Sequence, residues 1–396
     1  MFIEIHAIQN FAPSNLNRDD TGSPKDCEFG GHRRARVSSQ CRKRAVREYF
    51  SQEELIPAPQ RSVRTKKLAG TVAKLLIDRD NGRKPEEAAA VAASLVEALG
   101  VGFDAKSKDE KKTSVLLFLG NDQIDALASL CDQHWDQIVA ESHKKKGALP
   151  KELISSLRCC LQGSRAADLA LFGRMIAEDP GLNVDAACQV AHALSTHRVA
   201  PEFDYYTAVD DLGREDETGA GMLGTQEFNS ACFHRYANIN FTQLQSNLQG
   251  DRELALRGAR AFLEGFIMAI PKAKQNSTAA QNLPSFVMIV IRDKGLASLA
   301  NAFARPVDGG KEGLMADSVG ALCKYWEKLG KMYGHENITT LTCVSTEDVS
   351  FAEPDKTPAS NEVSAPKKPA VLKKVTTVDS VQDLLKEVMS AFGGVQ

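Results

Sequence analysis

The chain has 396 residues, which exceeds the size of one compact core and predicts two or three lobes. Hydrophobic residues make up 43% and charged residues 25%, as in ordinary globular proteins. The formal net charge of -2 excludes a uniformly basic nucleic-acid coat, so an anion site must be a local patch. The nine scattered cysteines form no C-x-x-C pair, which indicates reduced thiols in a cytosol and neither a disulfide framework nor a zinc site.

The first elements combine a strand with a basic helix. Alternation of apolar and polar residues predicts a strand at residues 2–8, and turn formers predict an irregular stretch after it. Ser38 or Ser39 is predicted to cap a helix that runs to about Phe50. Residues 61–179 have helical periodicity and composition, which predicts a wholly helical lobe inserted into another domain.

The second half of the chain alternates strands and helices. HRYANINF and SFVMIVIRD have strand compositions, and RELALRGARAFLEGFIMAI between them is predicted to be helical. QVAHALSTHRV is ambiguous between helix and strand, while the polar, Gly-rich DYYTAVDDLGREDETGAGMLGTQEF indicates a protruding loop or hairpin. The alternation on both sides of a helical insert predicts an α+β core.

The ends of the chain show no membrane segment. The first residues lack the pattern of a signal peptide, and no apolar run approaches the length of a membrane span. We therefore expect a soluble, cytoplasmic protein with no membrane partner. A Pro- and Lys-rich linker is predicted at residues 353–377, followed by a short amphipathic helix within residues 378–396.

Positive charge is concentrated in KDCEFGGHRRARVSSQCRKRAVREYF, residues 25–50. No acidic residue occurs from Phe29 to Arg47, a span that holds six arginines and Lys43. On a helical wheel, Gln40, Lys43 and Arg47 share one stripe opposite an apolar side. Unpaired like charges repel, so such a cluster is typical of a site for an anion.

Two interpretations of the basic segment are open from pattern alone. One is a solvated basic face that pairs with acidic residues of another lobe. The other is a phosphate site at the helix N-terminus, with Gly30-Gly31 allowing close backbone approach and Arg18 and Lys25 on a neighbouring loop. The phosphate-loop pattern G-x-x-x-x-G-K-[ST] is absent, which favours a polymeric phosphate backbone over a nucleotide cofactor.

Several long motifs resemble one known family. LNRDDTGSPKDCEFGGHRRARVSSQCRKRAVR resembles the N-terminal signature of the CasC family, the repeated backbone subunit of type I-E CRISPR Cascade. Further matches follow in chain order: GRM at residues 173–175, AHALSTH, DYYTAVDDL, GTQEFNSACFHRYANIN, IPKAKQ and the SLANAF segment.

This resemblance implies an α+β fold in the shape of a hand. An RRM-like (ferredoxin-like) palm would comprise residues 1–60 and 182–352, with helical fingers inserted at 61–181 and a protruding β-hairpin thumb at about 199–235. The implied function is non-catalytic: copies stack head to tail along one guide CRISPR RNA, which then pairs with target DNA. Other expected partners are the large, small, guide-end-capping and guide-processing subunits of Cascade, and no cofactor or metal is expected.

The resemblance also implies contact residues. The predicted RNA contacts are Arg18, Lys25, Ser38, Gln40, Lys43 and Arg47 in the palm, Met175, Tyr206 and Thr207 against bases, and, as weaker candidates, Lys272 and Lys274. For Tyr206 and its neighbour Tyr205, ordinary packing at the thumb base is the alternative. Lys144, Lys145 and Lys151 match a family lysine cluster thought to touch DNA, although a solvated helix end explains them equally well.

Two other classes of function are consistent with parts of the sequence. The pairs Asp19-Asp20 and Asp210-Asp211 could hold Mg²⁺ in a metal-dependent ribonuclease. Against this, RDD and VDD belong to structural motifs of the non-cleaving family, and such acids commonly cap turns. A stand-alone single-stranded RNA-binding protein is the third class, and it would bind as a monomer without partner subunits.

Overall fold

A computed structural model describes residues 1–107, 111–142, 149–176, 179–208, 222–349 and 375–393. The chain forms two compact units. The first contains Met1–Tyr49, Gln189–Ile239 and Arg260–Gln396, and the second contains Phe50–Cys188 and Asn240–Ala259. The second unit therefore extends beyond the predicted insert of residues 61–181 at both ends, and it also includes a later segment of the chain.

The described residues form twelve strands and twelve α-helices, which follow one another in short runs of one kind. The described strands are β1 Phe2–Ser14, β2 Asp26–Phe29, β3 His32–Val37, β4 Ser62–Thr65, β5 Leu117–Gly120, β6 Cys188–Val190, β7 Ala193–Ser195, β8 Glu202–Ala208, β9 Met222–Asn240, β10 Phe286–Arg292, β11 Ile338–Ser345 and β12 Val375–Thr377. The described helices are α1 Ser39–Gln52, α2 Leu68–Arg79, α3 Pro85–Ala98, α4 Asn121–Gln133, α5 Trp135–Ser142, α6 Lys151–Leu161, α7 Ala167–Phe172, α8 Phe241–Asn247, α9 Arg252–Met268, α10 Gln275–Thr278, α11 Leu314–Tyr333 and α12 Val381–Ser390. Within these described ranges, no helix has the length and apolar content needed to cross a membrane.

One large sheet organises the first unit. Its main order is β12-β11-β10-β1-β9-β7-β3-β2, and β8 pairs with β9 beside this path. The pairs of β10 with β1 and with β11 are antiparallel, and the pair of β11 with β12 is parallel. The predicted α+β class is confirmed by this mostly antiparallel sheet with its helices.

Strand β10 lies inside the sheet between β11 and β1, and its first six residues are apolar. Burial of all seven of its residues, Phe286–Arg292, explains why the sequence lacks polar alternation there. On one face, Met288 and Val290 join a core cluster with Leu322 and Trp326 of α11. Helix α11 therefore covers this face of the sheet.

Three predicted elements need correction, and one ambiguous segment is resolved. Strand β1 continues to Ser14, through the start of the stretch predicted to be irregular. Residues 61–179 are not helical throughout, because β4 and β5 pair as a two-stranded sheet between the helices. The ambiguous segment 189–199 contains strands β6 and β7. Residues 375–377, placed at the end of the predicted linker, form β12 because their backbone completes the sheet edge beside β11.

The predicted basic helix and C-terminal helix are both present. Helix α1 begins at Ser39, and α12 begins after Ser380, whose hydroxyl accepts a hydrogen bond from the Asp383 N–H at 3.1 Å. Leu384, Leu385 and Val388 of α12 are buried, as its amphipathic pattern predicts.

Two histidines are buried in the sheet beneath α11. His6 of β1 and His234 of β9 lie with ring centroids 5.8 Å apart. Both His6 ring nitrogens and Nε2 of His234 lack hydrogen-bond partners among the described residues. Burial lowers the pKa of His234 to about 3, and burial with the nearby His234 and Arg292 lowers the pKa of His6 well below its usual range. Both rings are therefore neutral in the folded protein near pH 7.

These histidines predict acid sensitivity of the fold. Below the unfolded pKa of about 6.5, the unfolded chain binds two protons that the folded chain does not bind. The free energy of unfolding therefore decreases as the pH is lowered. Between pH 6 and 5, the pair should contribute a slope of about 2.4 kcal/mol per pH unit to the free energy of unfolding. In urea unfolding measured across this pH range, His234→Phe should remove one of the two histidines and so about half of their contribution to the pH dependence of the free energy of unfolding. An unchanged pH dependence would contradict burial of a neutral His234.

Candidate nucleic-acid interface

The N-terminal end of α1 is built by contacts from three other segments of the first unit. Ser38 precedes the helix, and its Oγ accepts a hydrogen bond from the Cys41 N–H at 3.3 Å. The Ser38 N–H in turn donates to Asn17 Oδ1 at 2.8 Å. Among the described residues, the N–H of Gln40 has no acceptor, and the Gln40 side chain is exposed. The first turn therefore keeps a backbone donor available to an anion.

Cations surround this end of the helix. The N–H of Arg36 donates to the Lys25 carbonyl at 2.9 Å, which places β3 beside the loop that carries Lys25. The Arg36 Nη1 lies 3.4 Å from Nδ1 of His192, and the N–H of Ser39 donates to the same nitrogen at 3.2 Å. The structure thus brings Lys25, Ser38 and Gln40 of the predicted set together, and adds Arg36 and His192, which that set lacks.

Two arginines of the basic segment are structural. Arg34 is fully buried, and its Nη1 and Nη2 donate to carbonyls of Ser195, Thr196 and Phe303 at 2.7–3.1 Å. Arg42 is also buried and donates to the Phe266 carbonyl at 3.3 Å, and burial lowers its pKa to about 10. Backbone carbonyl groups of the chain stabilise these two positive charges, so neither guanidinium is available to a ligand.

Two further arginines pair with acids at the surface. Arg33 pairs with Asp26, and Arg44 donates to Glu48 at 2.8 Å one helical turn away. For these residues the interpretation of a solvated, paired basic face is correct, except that the acids come from the same unit and not from another lobe. The cationic surface is thus smaller than the sequence suggests.

The close backbone approach predicted at Gly30-Gly31 is made to another segment of the chain. Gly30 and Gly31, both at positive φ, form the two-residue turn between β2 and β3. A Cβ on Gly30 would collide with the carbonyl oxygen of Ala304. The close backbone approach that glycine permits is therefore to the chain itself.

Beyond its N-terminal end, α1 borders two adjoining clefts. One, of about 510 Å³, is lined by the loop carrying Arg18, which is exposed, and by Cys41. The other, of about 480 Å³, lies between α1 and the segment carrying Lys272. Lys43 and Arg47 are both partly exposed on α1. Arg18 thus lies near α1, as predicted.

The two weaker candidates both have partners within the chain. Lys272 Nζ lies 3.5 Å from Glu48 Oε2, and Lys274 Nζ donates to Gln226 Oε1 at 3.2 Å. Lys274 lies in the left-handed region at φ 57°, just before α10. These contacts make both lysines weaker cationic candidates than residues at the start of α1.

An exposed two-stranded ribbon extends from the sheet. Strand β8 pairs with the start of β9 from Glu202↔Phe228 to Ala208↔Met222, and residues 231–239 of β9 are buried. Tyr205 and Tyr206 are 65% and 41% exposed, so neither packs in a core. Tyr206 lies opposite Gly224, where a Cβ would collide with the tyrosine ring. Thr207 is exposed beside them.

The second unit presents Met175 to solvent beside a buried, hydrogen-bonded neighbour. Met175 is 85% exposed, although its neighbour Arg174 is buried and donates to the Leu161 and Leu182 carbonyls at 2.9 and 2.8 Å. Gly173 has φ 73°, and a Cβ there would collide with the Val184 carbonyl oxygen. The GRM motif therefore fixes the backbone and presents the methionine to solvent.

The lysine cluster is only partly described. Lys151 is exposed at the first position of α6. Lys144 and Lys145 lie outside the described residues, so the predicted DNA contact stays a prediction. The same is true of the paired acids Asp210 and Asp211.

The acidic residues near the basic helix serve the loop. Asp19 Oδ1 accepts hydrogen bonds from the N–H groups of Thr21 and Ser23 at 2.9 and 3.0 Å, and hydrogen bonding from Thr21 lowers the Asp19 pKa. Asp19 thus acts as the turn cap that its sequence context favours. In the part of the chain that the structure describes, no group of three His, Cys, Asp or Glu residues could hold a metal ion.

Most of the chain matches one family. A family model described as CT1975-like protein matches residues 3–367. The chain belongs to this family. A comparison with curated proteins found no match.

Two solved structures extend this result to the fold. A chain of a structure titled "CRISPR RNA-guided surveillance complex, pre-nicking" is 34% identical, with a TM-score of 0.82, and the match covers 99% of this chain and 100% of that one. A chain from a "CRISPR RNA-guided surveillance complex" is 29% identical, with a TM-score of 0.74 and the same coverage. The resemblance drawn from the motifs is confirmed at the level of the family.

Because Arg34 is buried and Arg33 is exposed, replacing these adjacent arginines should destabilise the fold to very different extents. Arg34→Ala leaves several buried carbonyls without donors and should lower the free energy of unfolding by about 3 kcal/mol. Arg33→Ala removes an exposed pair and should cost about 0.5 kcal/mol. Urea unfolding monitored by circular dichroism would measure both. Equal effects of the two changes would contradict the structural role of Arg34.

Proposed function

We propose that this protein is a non-catalytic, guide-RNA-binding backbone subunit of a type I-E CRISPR Cascade complex. Family membership supports a role in such a complex. The arrangement of donors at the start of α1 supports RNA binding. There, an unpartnered Gln40 N–H, the Lys25 and Arg36 side chains and the helix dipole combine on one exposed surface.

The donor chemistry of this surface suits a phosphate backbone. Lysine, arginine and backbone N–H groups bind phosphate oxygens of any nucleotide, so they position a strand without reading its sequence. Lys43 and Arg47 extend the surface along α1, and Arg18 extends it along the neighbouring loop. Sequence recognition is left to base pairing between the guide and target DNA.

The ribbon of β8 and β9 would serve as the thumb on an RRM-like palm, and the second unit would serve as the fingers. Tyr206 is supported from below by Gly224 and exposed above, an arrangement that suits stacking on a base of any identity. Thr207 follows it on the ribbon, and Met175 is an exposed apolar contact on the fingers.

The engagement of Asp19 in a turn supports the non-catalytic assignment.

Assembly would be head to tail, in the cytoplasm, with further Cascade subunits at the ends and sides. A contact between two different faces of one chain produces an open array unless its rotation closes a ring. Cationic surfaces on successive copies also repel until RNA phosphates neutralise them. The guide length would then set the number of copies.

Loss of charge on α1 tests the RNA surface. Lys43→Ala and Arg47→Ala should weaken guide binding equally for all guide sequences, and the slope of log K against log salt should fall by about one for each phosphate contact. Lys386→Ala is the matched control, because it removes the same charge from an exposed position of α12, beside β11 at the opposite edge of the sheet. Filter binding across a salt series provides the measurement. Identical slopes for all three variants would exclude α1 as the RNA surface.

Guides of graded length test the assembly and the absence of catalysis together. Native mass spectrometry should show whole subunits added in steps as the guide lengthens, with smaller species after nuclease treatment or in high salt. Guide RNA recovered after incubation with Mg²⁺ should have its full length. A constant copy number would show that a closed protein interface sets the assembly, and shortened guides would support the ribonuclease class instead.

A further inference from the structure

His192 lies in the connection between β6 and β7, at the first turn of α1. Its Nδ1 receives a hydrogen bond from the Ser39 N–H at 3.2 Å, and the Arg36 Nη1 approaches the same nitrogen at 3.4 Å. A backbone N–H and a guanidinium are donors with no acceptor capacity. The Nδ1 atom must therefore present its lone pair, and the proton of the neutral ring is on Nε2.

The surroundings keep this ring neutral. Burial, followed by the positive charges of Arg36 and Lys25, lowers the His192 pKa below its ordinary value. Arg36 belongs to β3 and Lys25 precedes β2, so the charged groups acting on the ring from the packed elements are both cations. Protonation of Nδ1 would place a third donor against two existing donors and would break the contact with Ser39.

The contact with His192 determines which donors remain at the start of α1. The Ser39 N–H is taken by His192 and the Cys41 N–H by Ser38, which leaves the Gln40 N–H between them. The same ring nitrogen contacts Nη1 of the Arg36 guanidinium, whose Nε donates to the Asp26 carbonyl at 3.2 Å.

We propose that His192 is a positioning residue for the guide-binding end of α1, acting through its unprotonated Nδ1 as a cap shared by Ser39 and Arg36. The role in guide binding depends on the proposed function, whereas the ring tautomer and the capping of α1 do not. Among the described residues, Nε2 has no partner, so a direct contact of Nε2 with RNA is the competing role that the experiment must separate.

Two amide substitutions separate the two ring nitrogens. In His192→Asn, Oδ1 falls near the position of Nδ1 and can accept the same hydrogen bonds. In His192→Gln, the amide falls near the position of Nε2 and leaves the cap empty. His192→Ala removes both groups, and none of the three variants changes the charge of the neutral ring.

We expect His192→Ala and His192→Gln to weaken guide binding by about fivefold, the effect of losing one helix cap. His192→Asn should restore most of the affinity lost with alanine. Melting temperatures without RNA should follow the same order. Retention of affinity by Gln together with loss by Asn would assign His192 to direct contact and overturn the proposal, as would equal affinity in all variants.

Guide affinity measured across a pH series tests whether a protonated His192 contacts the RNA directly. While His192 is neutral, wild type and His192→Asn should keep a constant ratio of guide affinities from about pH 8 to about pH 7, because the other histidines are common to both. An imidazolium bound to phosphate would instead raise the wild-type affinity relative to Asn as the pH falls, and this would overturn the proposal.

The tautomer can be measured without RNA. Long-range ¹H–¹⁵N spectra of histidine-labelled full-length protein, assigned with His192→Asn, should show the proton on Nε2. A proton on Nδ1 would overturn the proposal. If the wild type bound no guide, the proposed function would fall, and the tautomer and the melting order would still decide the role of His192.

Discussion

The position of the basic helix depends on a buried positive charge. Arg34 has no contact with solvent, so its guanidinium must be satisfied by protein acceptors, and carbonyls from two distant segments supply them. These carbonyls belong to Ser195, Thr196 and Phe303, which the hydrogen bonds tie to β3. Since α1 follows β3 directly, the placement of the helix start follows from this network.

A second buried arginine holds the helix itself. Arg42 donates from α1 to the carbonyl of Phe266 in α9 and lies 6.0 Å from the Phe266 ring centroid. With Arg34 and Arg42 directed inward, the outward cations are carried by Lys25, Arg36 and the exposed side of α1. The basic segment thus combines internal anchors with an external surface, and the anchors make the surface rigid enough to present donors in a fixed arrangement.

The ribbon of β8 and β9 illustrates a different constraint. Phe203, Tyr205 and Leu223 are exposed on one face of the ribbon, and Tyr206 and Met222 are exposed on the other. Folding of this chain does not remove these apolar side chains from water. Large exposed apolar surfaces of this kind mark sites of interaction. A ribbon that inserts between a nucleic acid and another subunit would cover both faces.

The sequence by itself determined the α+β class, the basic helix, the apolar strand β10 and the C-terminal helix, because periodicity and composition report on local structure. Its motifs also indicated the family and most of the candidate contacts. Only the tertiary structure decided which cations remain available, since Arg34 and Arg36 are both basic residues of one strand, yet one is buried and the other lies beside His192. That pairing depends on a partner 156 residues away in the chain. Burial and hydrogen bonding across such separations are set by packing, and local sequence patterns do not encode them.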